Sequence, residues 1–190
     1  MSSTSRLHSR TGRTREKLLK AFAGLVLSRG YPRISATDIA ASAGVGRSTL
    51  YMHFGGLPRL LEASLERPCI TLASAVRVTS SPGDLVPLLR HFHSQAQGHN
   101  AVFFRNPLYS LWAKCLARAI AASLRKDPRR FRYRPAIPRE LLCSVLAELQ
   151  LAIIRHWLMD ASSAGAETIA AALIASTQRL LMGRVQIDMA

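Results

Sequence analysis

The chain has 190 residues, 48% of them hydrophobic and 19% charged, which excludes wholesale disorder and gives enough length for a buried core. Twenty-six Lys and Arg against eleven Asp and Glu leave a formal charge of +15, a field that draws polyanions such as nucleic acid. The excess is uneven: residues 1–60 carry ten basic and two acidic side chains, and Arg125 to Arg134 carry six and one.

Cys69, Cys115 and Cys143 are scattered, with no CxxC pair, so neither a zinc ribbon nor a disulfide framework is expected and the thiols read as free. The polar opening segment lacks the apolar run of a signal peptide, and no apolar stretch approaches the ~18 residues of a membrane span. A soluble, cytoplasmic protein with no membrane partner is the expectation.

In chain order, residues 1–12 read as a disordered basic arm. From Arg13, Leu18, Ala21, Phe22, Leu25 and Val26 recur at helical spacing up to Gly30, and Pro32 bars continuation. A short helix follows from Ser35, whose spacing to Asp38 predicts a capping box. Its inner face is Ile39, Ala40 and Ala43. Gly44 ends it, because a turn this tight needs a residue at ease with positive φ. The next helix begins near Gly46 or Arg47 and runs to about Phe54, where Gly55 and Gly56 break it. Leu50 and Phe54 face inward at i and i+4, leaving Arg47, Ser48, Thr49, Tyr51, Met52 and His53 outward.

Beyond Leu57 the pattern is helical, with helices expected near 57–78, 84–98, 101–125, 137–160 and 166–183. Pro68 and Pro107 are expected to kink or split two of them. Ser80 to Gly83 reads as a turn, and 127–138 as a basic, proline-rich loop. The fold class is therefore all-α: a three-helix domain over 13–56 and a helical body over 57–190.

The string Asp38-Ile39-Ala40, Gly44-Val45, Thr49-Leu50-Tyr51 and His53-Phe54 resembles the signature of the TetR/AcrR transcriptional regulators. The resemblance implies a helix-turn-helix DNA reader joined to a helical domain that dimerises and binds a small-molecule effector. It implies that Arg47 and Ser48 face base edges, that Thr49, Tyr51 and His53 touch phosphates, and that Ser35, Thr37 and Met52 complete the DNA-facing set. It implies an effector pocket at Phe92, Phe103, Phe104, Tyr109 and Trp112. It places the dimer interface, or the core beneath it, at Leu142, Leu146, Leu149, Ile153, Trp157, Leu173 and Leu180 on the last two helices, with Val145 and Leu181 as further candidates. Two positions depart from the pattern, Gly46 where Ser is common and Leu57 where Lys is common. They leave open an alternative, a binding or adaptor protein that keeps the fold without operator binding.

His91 and His93 lie two apart, on nearly opposite sides of a helix, so with His99 they make a poor chelating set, and neither metal nor cofactor is expected. No G-x-S-x-G, Walker A or H-E-x-x-H motif is present, and an enzyme is not expected.

Overall fold

The structure, a computed structural model, describes residues 3–29, 31–96, 108–126, 137–159 and 164–182. Within them lie eight α-helices: α1 Ser3–Arg29, α2 Ala36–Ala43, α3 Arg47–Phe54, α4 Leu57–Ala73, α5 Pro82–Ala96, α6 Leu108–Arg125, α7 Arg139–Met159 and α8 Ala166–Met182. Single 3-10 turns cover Tyr31–Arg33 and Ser74–Val76. The chain divides into two compact units, the first closing at Leu65 and the second beginning at Glu66.

In the first unit, α1 packs on α2 and α2 on α3. Leu18, Phe22 and Val26 repeat every four residues along α1, and all three are buried together with Ile39, Ala40, Leu50 and Phe54. The Tyr31 ring meets Phe22 edge-on at 6.2 Å. Leu60, Leu61 and Leu65 of α4 are also buried, which is why this unit runs past the expected boundary at residue 56. Gly30 and the expected loop at 127–136 lie outside the described residues.

The helix α1 reaches back to Ser3, into the segment 1–12 expected as a basic arm. No proline interrupts 3–29, and an isolated Gly12 costs a helix only about 1 kcal/mol relative to Ala. The α5 start also moves. Ser81 caps it, its amide donating to the Asp84 carboxylate at 3.0 Å and its hydroxyl accepting from the Gly83 amide at 3.3 Å. Pro82 occupies the first helical position, where a missing N–H costs nothing. The helix α4 runs through Pro68 unbroken, although that proline leaves the Ser64 carbonyl without its helical donor. It ends at Ala73 rather than 78, and the Ser80 hydroxyl donates to the Ser74 carbonyl beyond it. Pro107 lies outside the described residues.

In the second unit α6 packs on α7, α5 on α8 and α7 on α8. Trp112, Leu116, Ile120 and Leu124 of α6 join Leu85, Leu89, Leu146, Leu151, Ile154 and Leu173 in the core. Between α7 and α8 the buried Gln150 amide donates to the Thr177 hydroxyl at 3.1 Å.

Candidate nucleic-acid interface

The site is built by two glycine-terminated helices. Ser35 caps α2: its hydroxyl accepts from the Asp38 amide at 3.2 Å while the Asp38 carboxylate accepts from the Ser35 amide at 2.9 Å. Both halves of the expected capping box are thus present. The Ser35 hydroxyl also donates to the Asp38 carboxylate. These bonds hold the Asp38 carboxyl below the usual carboxylate range, with Arg29 at 3.7 Å adding a smaller pull. Ser35, expected to face DNA, is exposed, but its side chain is committed to the cap.

The helix α2 ends at Gly44, which adopts φ 65 and ψ 38, the left-handed region. The Val45 amide bonds the Ala40 carbonyl at 3.0 Å and the Gly44 amide bonds Ala41 at 3.1 Å, the pair of bonds that closes a Schellman motif. The chain then turns at Gly46, which precedes α3 with φ −69 and offers it no side-chain cap. The Gly55 amide donates to the Tyr51 carbonyl at 2.7 Å, in a second left-handed conformation, and closes α3 after two turns.

Burial fixes which face of α3 meets solvent. Leu50 is fully buried and Phe54 nearly so, with the Arg15 guanidinium 4.6 Å above the Phe54 ring. Arg47 and Ser48 are exposed, Tyr51 is 43% and Met52 84% exposed, and Thr49 and His53 are half-buried. Thr37 is exposed on the first turn of α2. The Arg47 guanidinium lies 5.5 Å over the Tyr51 ring one turn on, a cation–π pair that sequence spacing allows but does not announce. A helix that buries two apolar side chains and turns a cation, two hydroxyl residues, a phenol, a thioether and an imidazole away from them has the dimensions and chemistry to enter a major groove.

The other expected sites separate. Phe103, Phe104 and His99 lie outside the described residues. Trp112 is buried and meets the half-buried Phe92 ring edge-on at 5.4 Å, a packing contact between α5 and α6. Tyr109 lines an open cleft between α6 and α7, its hydroxyl donating to Glu148 at 2.6 Å. Its pKa is pushed up to about 12, first by burial and then by the Glu148 carboxylate. His93 stacks on Trp157 at 5.2 Å, which gives that imidazole a packing role.

Of the expected interface residues, Leu142, Leu146, Trp157 and Leu173 are buried in the protomer's own core. The Trp157 indole N–H donates to the Ala164 carbonyl at 2.8 Å. These four thus form the core beneath the outer faces of the last two helices. Leu149, Ile153 and Leu181 are half-buried, and Leu180 is 39% exposed. Leu141, Val145 and Met159, at 49%, 39% and 62%, are apolar α7 residues turned outward. Cys69 and Cys143 are buried free thiols and Cys115 is half-buried. Burial pushes the Cys69 thiol up to about 12, so it is unreactive as a nucleophile.

Comparison with known proteins agrees with this geometry. Residues 18–63 match the family of bacterial regulatory proteins named tetR. Over 76 residues the chain is 32% identical to an uncharacterized HTH-type transcriptional regulator, YxbF of Bacillus subtilis (strain 168). That stretch is 40% of this chain and 20% of YxbF, so the chain matches about one fifth of that relative's length. Among solved structures, a TetR transcriptional regulator from Streptococcus agalactiae 2603V is similar with a TM-score of 0.58 at 22% identity, covering 93% of this chain and 100% of that one. The TetR-family repressor FadR of Thermus thermophilus, in complex with lauroyl-CoA, gives 0.52 at 20%, covering 93% and 97%. NalD, the secondary repressor of the MexAB-OprM multidrug efflux pump in Pseudomonas aeruginosa, gives 0.51 at 22%, covering 89% and 96%. At these identities the structural likenesses speak for the fold alone.

Proposed function

We propose that this chain, whose residues 18–63 match the tetR family of bacterial regulatory proteins, is a transcriptional repressor that binds a pseudo-palindromic operator as a dimer and lets go when an effector binds. One observation carries the DNA-binding half: α3 buries Leu50 and Phe54 and presents Arg47, Ser48 and Tyr51 to solvent behind the left-handed turn at Gly44. In this reading Arg47 and Ser48 read base edges. Thr37, Thr49, Tyr51, Met52 and His53 contact phosphates and sugars and set the register. Exposed Lys17, Lys20, Arg33 and Arg59 add charge to the same unit.

Support for the dimer comes from α7, which is apolar on both faces. Its inner face fills the core, and Leu141, Val145, Leu149 and Ile153 stand on or beside the outer one, with Ile169 and Leu180 half-buried or exposed on α8. A two-fold pairing of α7 and α8 with their copies would cover these side chains, and a pseudo-palindrome read in successive major grooves asks for two reading helices about 34–36 Å apart. The repressors among the structural relatives, one of them solved with an acyl-CoA, favour repression relieved by a small molecule. The coupling would be on the order of 1–3 kcal/mol, with α4 as the link because it contributes residues to both units.

The test is a gel shift and fluorescence-anisotropy titration against the DNA upstream of the protein's own gene, at several salt concentrations. Sequence-selective binding that falls by about 0.9 log units per phosphate contact for each log unit of salt is expected. Binding that is flat in salt, or equal for Arg47→Ala and wild type on matched and mismatched sites, refutes it and favours the adaptor.

A further inference from the structure

The cleft between α6 and α7 has a volume of about 390 Å³, within the range of small-molecule sites. Its existence follows from composition: Ala113 and Ala117, one turn apart on α6, leave a shallow apolar floor where larger side chains would fill the space. Tyr109 forms one wall, held by its 2.6 Å hydrogen bond to Glu148 of α7. The Arg155 guanidinium lies 5.4 Å over the Tyr109 ring. The exposed Lys114 ammonium completes the lining with the hydroxyls of Ser110 and Ser144.

Charge and shape together select a ligand class. Two cations face one carboxylate, and that carboxylate already accepts from Tyr109. No described salt bridge engages Lys114 or Arg155. A guanidinium carries five N–H donors in a planar fork, and that fork matches a carboxylate. The flat alanine floor beside an aromatic wall suits a planar apolar body. We propose that this cleft binds a small aromatic carboxylate, with Arg155 and Lys114 on the carboxylate and the ring against Ala113, Ala117 and Tyr109. The assignment of this ligand as effector rests on the repressor reading; its binding does not. Of the residues where sequence placed the pocket, Tyr109 lines this cleft and Phe92 and Trp112 do not.

The experiment titrates the full chain, without DNA, with the fluorescent probe 2-naphthoate and its neutral analogue 2-naphthamide. Saturable 2-naphthoate binding is expected, with 2-naphthamide at least about tenfold weaker because it lacks the charge-assisted bonds. Lys114→Gln and Arg155→Gln should each weaken 2-naphthoate by about tenfold and leave 2-naphthamide little changed, whereas Ala117→Leu should weaken both by filling the floor. Lys114 is exposed, so its variant keeps the test valid if Arg155→Gln fails to fold, which circular dichroism reports. Equal binding of the two probes, no saturation, or wild-type affinity in Lys114→Gln and Ala117→Leu overturns the proposal. A protein that binds 2-naphthoate but no operator overturns only the DNA reading, and one that binds operator but not 2-naphthoate overturns only the cleft.

Discussion

Gly44 and Gly46 stand two residues apart in the turn before α3, and their backbones demand opposite responses to a side chain. At Gly44, φ 65 is left-handed, and an added Cβ meets nothing within 4 Å. The cost of Gly44→Ala is therefore backbone strain alone, about 1–2 kcal/mol, less the roughly 0.4–1 kcal/mol gained by restricting the unfolded chain. The net is about 1 kcal/mol of destabilisation, and Gly44→Asn should cost less, because Asn tolerates this conformation. At Gly46, φ is −69 and ψ 148, which any residue adopts, and a Cβ would meet the Ser48 and Thr49 hydroxyl oxygens at 3.6 and 3.7 Å, ordinary contact. Gly46→Ser adds the missing cap, worth a few tenths of a kcal/mol over Gly, to the same unfolded-state gain, for about 0.5–1 kcal/mol of stabilisation. Native-state hydrogen exchange at α3 amides reads both locally, since 1 kcal/mol is about a fivefold change in rate. Slower exchange in Gly44→Ala, or faster exchange in Gly46→Ser, would show that the turn does not govern α3.

Three further outcomes can be checked. Thr177→Val removes the acceptor of the buried Gln150 amide and should cost about 1–3 kcal/mol in urea unfolding, whereas an unchanged midpoint would mean that Gln150 finds another partner. The fold favours ionised Asp38, so its contribution is complete above the ordinary value near 3.8 and lost as pH falls through the lower folded value. Asp38→Asn should therefore melt below wild type near neutral pH and approach it in strong acid; an equal gap at both ends would contradict this. Val145→Glu, at a 39% exposed site, should yield monomers by analytical ultracentrifugation with an unchanged helical spectrum, and a persistent dimer would place the seam elsewhere.

The reading unit was legible because its signals are local. Gly44 at the turn, Ser35 three before Asp38, and Leu50 four before Phe54 each state their role within one helical turn. The body was less legible for a physical reason. In α7 both Leu142 and Val145 are apolar, so periodicity cannot tell which face packs inward, and the inner one proved to be Leu142. Trp157 gave no hint of His93, nor Tyr109 of Glu148, because these partners are distant in sequence. The α5 start was missed because Ser81-Pro82-Gly83 suits a turn as well as a capped helix entry.

The Arg47 guanidinium resting over Tyr51 has a thermodynamic corollary for any anionic target. A long flexible cation ordinarily surrenders rotamer freedom on docking, about 0.5–1.5 kcal/mol per immobilised side chain. Here the ring already restrains that motion in the unbound state, so less entropy is left to lose at encounter. The two side chains then act as one unit, and the effects of removing each will not sum to the effect of removing both.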